Sequence, residues 1–200
     1  MGAKIAFIGT HGVGKTVLTF SVASTLRARS VDADVAYENS RRSPFPINEA
    51  TTLDGQMWIL SAQWQSELEA CRRSAIVVCD RAVLDNYAYM VRACGEQEWL
   101  EPFLRQWSTT YDVLFSVPII DKTIVDDGTR AVAPRFQREI DRLVAGLVDR
   151  FDLSGRVVRL PRERANQLPT VISALSDRGL LPHRQRLLFP SGDIPEEREE

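Results

Sequence analysis

A chain of 200 residues, 44% of them hydrophobic, with a formal net charge of -2, is long enough for one globular core and needs no disulfide or metal staple. That balance, with an isoelectric point near 5.8, excludes a globally basic protein drawn to nucleic acid or to an anionic membrane surface. Cys71, Cys79 and Cys94 are odd in number and lack metal-type spacing, which suits a reducing compartment and sets the expectation of a cytoplasmic protein. No apolar stretch approaches a membrane span and the N-terminus runs into the first expected strand without a signal-peptide pattern, so no membrane partner is expected.

The first expected strand is Lys4 to Ile8, and it delivers the chain into Gly9, Thr10, His11, Gly12, Val13, Gly14, Lys15 and Thr16. These eight residues fit G-x-x-x-x-G-K-[ST] at every fixed position. A helix expected over Val17 to Arg29, with Val17, Phe20, Val22, Ala23 and Leu26 apolar, supplies the strand-to-helix context that a bare pattern match lacks. Glycines let the backbone wrap inward, so that several N–H groups and the helix N-terminus converge on phosphate oxygens. Lys15 is then expected to reach the β and γ phosphates of ATP, and Thr16 to ligate Mg2+ through its hydroxyl.

The second strand is expected at Asp34 to Tyr37 and ends at Glu38, on the sheet edge where doubly wound folds handle ligands. Glu38, followed by Arg41 and by the rigid Ser43-Pro44-Phe45-Pro46 segment, reads either as part of an acceptor site or as a solvated loop. From Leu53 to Cys71, apolar residues at Leu53, Met57, Leu60, Trp64, Leu68 and Cys71 predict one buried helical stripe. Trp58 and Gln63 lie off that stripe and are candidates for a pocket wall, since a Gln amide can both donate to and accept from a nucleobase edge.

Ala75 to Asp80 is a continuous apolar run ending in a carboxylate, expected as the third, buried parallel strand. Downstream of a phosphate loop, Asp80 is the expected second Mg2+ element, and the planar fork of Arg81 could clamp a phosphoryl oxygen. Helices are expected over Leu84 to Val91 and over Glu96 to Trp107, the latter with its aromatics buried. A fourth strand is expected over Tyr111 to Val117. The charged excursion over 119–134, containing Asp127-Gly128-Thr129-Arg130, reads as a lid or a plain loop. Arg135 to Arg150 is an amphipathic helix with Phe136, Ile140, Leu143, Val144 and Leu147 on its apolar side. Arg130, Arg135 and Arg138 are candidates to stabilise charge on a transferring phosphoryl group. A fifth strand at Arg156 to Leu160, a helix at Ala165 to Ser176 and a charged tail over 191–200 complete one expected domain over 1–190.

With the phosphate loop, Asp80-Arg81 and the Asp127 to Arg130 segment in view, the chain resembles the P-loop kinases of small molecules. It is most similar to the AAA-type group containing ribosylnicotinamide kinase domains, and more distantly similar to thymidylate and deoxynucleoside kinases. The resemblance implies a three-layer α/β fold with a largely parallel five-stranded sheet ordered 2-3-1-4-5. It implies ATP and Mg2+ as cofactors, Lys15, Glu38, Asp80, Arg81 and Arg130 as catalytic residues, and Glu38 as general base toward a sugar hydroxyl. The deoxynucleoside kinases usually carry a Ser or similar residue after the acid-Arg pair, where this chain has Ala82.

The expected reaction is transfer of the γ-phosphoryl group of ATP to a nucleoside, nucleotide or related small acceptor, bound by Glu38, Arg41, Phe45, Trp58, Gln63, Arg81, Arg135 and Arg138. A hydroxyl acceptor gives Glu38 the work of a base, whereas a monophosphate would be anchored by Arg41 and Arg81. Two other classes stay open: a nucleotide-dependent switch, although no Asn-Lys-x-Asp base-reading motif is present, and a kinase acting on nucleic acid, which the net charge disfavours. A homodimer is compatible with the sequence and carried by no motif in it.

Overall fold

A computed structural model describes residues 2–47, 50–120 and 134–181. The strands are β1 (Ala3–Ile8), β2 (Ala33–Ala36), β3 (Ile76–Asp80), β4 (Val113–Ser116) and β5 (Val157–Arg159). All are parallel, in the order β2-β3-β1-β4-β5, as expected. The helices are α1 (Lys15–Ala28), α2 (Leu53–Arg73), α3 (Val83–Cys94), α4 (Glu101–Ser108), α5 (Pro134–Arg150) and α6 (Arg164–Asp177). Alternate side chains of each strand feed opposite cores. Ile5, Phe7, Val35, Val78, Val113 and Phe115 pack with α1 and α6, whereas Ala6, Ile8, Ala36, Val77, Cys79 and Leu114 pack with α2, α3 and α5. In the register of β1 with β3, Phe7 pairs with Asp80, so the carboxylate ends its strand beside the start of the phosphate loop.

The structure corrects several expected faces. In α1, Val17 and Phe20 are exposed at 67% and 45%, and Leu18 and Thr19 are buried in their place. Phe20 packs instead against exposed Tyr37, the rings tilted at 49°; Tyr37 lies beyond the end of β2 and donates its N–H to Ser66 Oγ at 3.1 Å. In α2, Leu53 and Leu68 are exposed, and the buried stripe runs through the polar residues Gln56, Gln63 and Glu67 as well as Ile59, Leu60 and Ala70. The helix expected from Glu96 begins only at Glu101, after a turn over 98–100, and Trp99 and Phe103 are exposed rather than buried.

The polar stripe of α2 has a partner set drawn from the far side of the sequence. Glu67 is fully buried and pairs with Lys4 Nζ at 2.7 Å. It also accepts from Tyr111 Oη at 2.7 Å, Trp107 Nε1 at 2.9 Å and Gln63 Nε2 at 3.0 Å. The Lys4 ammonium lies 4.3 Å from the Tyr111 ring centre and 4.7 Å from that of Trp107. A buried charge is tolerable only when so paired and hydrogen-bonded.

Candidate functional site

The loop from Gly9 to Lys15 is shaped by three glycines at positive φ: Gly9 at 132°, Gly12 at 74° and Gly14 at 99°. At Gly9 a side chain is doubly excluded, because a Cβ there would sit 2.9 Å from the Val117 carbonyl oxygen. Lys15 opens α1, and its Nζ donates to the carbonyl oxygens of Gly9 and Thr10 at 2.6 and 2.5 Å. Burial, reinforced by the positive charge of Arg81, lowers its pKa to about 8, against the opposing pull of Asp85, Asp80 and Glu38.

Within the loop, His11 is buried; its Nδ1 lies 2.9 Å from Tyr89 Oη on α3, and its carbonyl accepts from Gln137 Nε2 on α5 at 2.9 Å. Thr16 and Asp80 are joined by a side-chain hydrogen bond, and burial raises the Asp80 carboxyl pKa while Thr16, Arg81 and Lys15 oppose it. A hydroxyl beside a carboxylate is a hard-oxygen donor set that fits Mg2+, which takes one or two protein oxygens and completes its shell with water and phosphate. Among the described residues no cluster of three or more His, Cys, Asp or Glu competes for that role.

Arg81 follows Asp80 with a φ of 83°, a left-handed conformation that a side chain seldom adopts. Its Nε meets Glu38 Oε1 at 3.2 Å, and its guanidinium lies 5.4 Å from the Tyr89 ring centre. Burial raises the Glu38 pKa, but Arg81, the Ser40 hydroxyl that donates to it, Lys15 and Arg41 together hold it below the ordinary range. Glu38 is therefore ionised at neutral pH. The loop, Asp80, Arg81 and Glu38, each named as a candidate from the sequence, are brought together in one electrostatically linked cluster.

Beside it lies a cavity of about 30 Å³ lined by Ser40, Ile47, Gln56, Ile59, Arg81, Asn86 and Tyr89. Two donors in these walls, Arg81 Nη1 and Asn86 Nδ2, are buried with no hydrogen-bond partner among the described residues. Of the residues expected as acceptor walls, only Arg81 lines the cavity. Gln63 is 1% exposed and gives its amide to Glu67 and, at 3.4 Å, to the Arg81 carbonyl, so it braces the turn from behind. Phe45 packs its Cβ 3.0 Å from where a side chain on Gly55 would begin, and Trp58 is half-buried on α2. Arg41 is exposed on a single helical turn over Ser40–Arg42. Arg138 is exposed on α5, and Arg135, 89% exposed, pairs with Glu139 at 3.0 Å. Arg130 and the expected lid core at 121–133 lie outside the described residues, as does the tail.

Sequence reasoning missed Gln56, Asn86 and Tyr89, whose meeting depends on how α2 and α3 pack. It also missed Asp85, for which a local signal existed: an acid three residues beyond a helix N-cap. Asp85 is fully buried, with Oδ1 accepting from Gly9 N–H at 2.8 Å and Oδ2 from Ala82 N–H at 2.9 Å.

A family model described as AAA domain matches residues 4–167. No curated protein matches the sequence significantly. Among solved structures, NadR in complex with NR superposes with a TM-score of 0.72 at 20% identity, over 94% of this chain and 54% of that one. NadR in complex with NAD and AMP-PNP gives 0.70 at 16%, over 94% and 52%. Deoxyadenosine kinase from M. mycoides with bound dATP gives 0.64 at 14%, over 87% and 99%. The chain spans about half the length of the NadR chains, and at these identities the likeness establishes the shared fold.

Proposed function

The chain belongs to the AAA domain family, and from that premise we propose that it is a P-loop kinase transferring the γ-phosphoryl group of ATP to a hydroxyl of a nucleoside or related small molecule. The observation that carries the reading is the Glu38–Arg81 pair at 3.2 Å, set between the phosphate loop and a cavity with unpartnered donors. An ionised carboxylate at that position repels a phosphate dianion and accepts from a hydroxyl, which favours a hydroxyl acceptor over a monophosphate.

In this mechanism the loop amides and Lys15 bind the β and γ phosphates, Lys15 exchanging its two carbonyl partners for phosphate oxygens. Thr16 and Asp80 would hold Mg2+, whose charge, when bound, offsets that of the phosphates. Glu38 accepts the hydroxyl proton at its carboxylate, and Arg81, fixed by Glu38 through Nε, keeps Nη1 available for an oxygen of the acceptor or of the transferring group. The kinases among the structural relatives support this class of reaction, since deoxyadenosine kinase shares the fold over nearly its whole length. We further propose one domain over 1–190 and a cytoplasmic setting.

The test is a panel of nucleosides and nucleoside monophosphates with ATP and Mg2+, run on the wild type and on Glu38→Gln. Transfer to nucleosides with a kcat loss of roughly 100-fold or more in Glu38→Gln is the expected result. ATP hydrolysis without transfer to any acceptor refutes the kinase reading. Near-normal transfer to a monophosphate by Glu38→Gln refutes the hydroxyl assignment.

A further inference from the structure

The buried carboxylate of Asp85 has no chemical step in this mechanism, yet it touches both halves of the site. One oxygen accepts from the N–H of Gly9, which opens the donor loop, and the other from the N–H of Ala82, which follows Arg81. An acid that merely capped α3 would need only the second bond. Gly9 is held on both sides of its α-carbon, its N–H by Asp85 and its carbonyl by Lys15. Burial raises the pKa of the Asp85 carboxyl, and the charges of Lys15 on α1 and of Arg81 after β3 oppose that rise in part. Among the described residues no protein donor other than these two backbone amides hydrogen-bonds to it, so both oxygens are committed to position.

We propose that Asp85 is a positioning residue that holds the donor loop in register with the Asp80–Arg81 turn, one carboxylate oxygen on each. Phosphoryl transfer depends on such alignment to a fraction of an ångström, and Asp85 ties the first residue of the loop to the residue that follows Arg81. The kinetic consequence rests on the kinase reading; the structural consequence is readable without turnover.

Asp85→Asn decides the matter, because an amide has one accepting oxygen and an NH2 group, which must face one of the two backbone donors. Amide hydrogen exchange is expected to quicken at Gly9, with or without Ala82, by roughly tenfold or more. In the kinase assay, kcat is expected to fall on the order of 100-fold while the Kd for AMP-PNP rises less than about tenfold. Faster exchange at Ala82 alone, or a kcat that stays at the wild-type value, overturns the proposal and leaves a helix cap. If the wild type transfers phosphate to nothing, the kinase reading falls and the exchange result still decides the role of Asp85. Should Asp85→Asn not fold, scalar couplings across the hydrogen bonds from Gly9 N and Ala82 N to Asp85 Cγ are measured in the wild type. Both are expected, and the absence of either overturns the proposal.

Discussion

Replacing Glu67 by Gln strips the only carboxylate from the buried cluster on α2 while nearly preserving shape. Lys4, with 6% of its side chain exposed, is left as a buried cation whose remaining support is the faces of Tyr111 and Trp107. Breaking one side of a buried pair costs about 3–5 kcal/mol. For a domain of this size that corresponds to a fall in Tm of roughly 6–20 °C. Lys4→Met alone leaves the opposite orphan and is expected to cost a similar amount. The double variant removes both charges, and its Gln still accepts from Tyr111 Oη, so the two costs do not add: a coupling of about 2 kcal/mol or more is expected. Urea unfolding followed by far-UV circular dichroism and by the fluorescence of Trp107, whose Nε1 lies in the cluster, measures all four proteins on one scale. Additive costs, or a Glu67→Gln protein within about 0.5 kcal/mol of the wild type, would refute the reasoning.

Four further outcomes follow from the donor side. Lys15→Ala is expected to abolish AMP-PNP binding and turnover while Tm stays within a few degrees of the wild type; turnover at the wild-type rate would show that the loop does not hold the donor. Because Lys15 has a folded pKa of about 8, kcat/KM for ATP is expected to fall above that pH as the cation is lost, and a flat profile from pH 7 to 10 counts against the assignment. The same depression, relative to an ordinary value of 10.5, means that the unfolded chain binds the extra proton between those limits, so this residue's contribution to stability rises with pH across that window. Gly9→Ala forces a Cβ to 2.9 Å from a carbonyl oxygen at a φ of 132° and is expected to destabilise by about 1–3 kcal/mol; a Tm equal to the wild type in a thermal melt would contradict the loop geometry.

The sheet was legible because its inner strands are buried on both faces and read as apolar runs, as in Ile76 to Cys79 ahead of Asp80. The phosphate loop was legible because its chemistry is local. The face of α2 was not, since Gln63 and Glu67 look solvent-facing until Lys4, Trp107 and Tyr111 are brought to them by the fold. The expected burial of aromatics also failed at Trp99 and Phe103, whose large apolar side chains remain on the surface, as many do in folded proteins. The acceptor side was the least legible, because Ser40, Gln56 and Asn86 come from three separate segments.

Position 81 is where the interests of fold and chemistry diverge. A left-handed backbone at a residue other than glycine carries strain of about 1–2 kcal/mol, and here it falls on the residue joining Asp80 to Glu38. Glycine or asparagine would ease that backbone and delete the guanidinium. A population evolving for stability alone would therefore drift away from arginine at this site, whereas one evolving for turnover would retain it and accumulate compensating gains elsewhere. The identity of residue 81 among descendants of this chain is thus a record of which pressure acted on them.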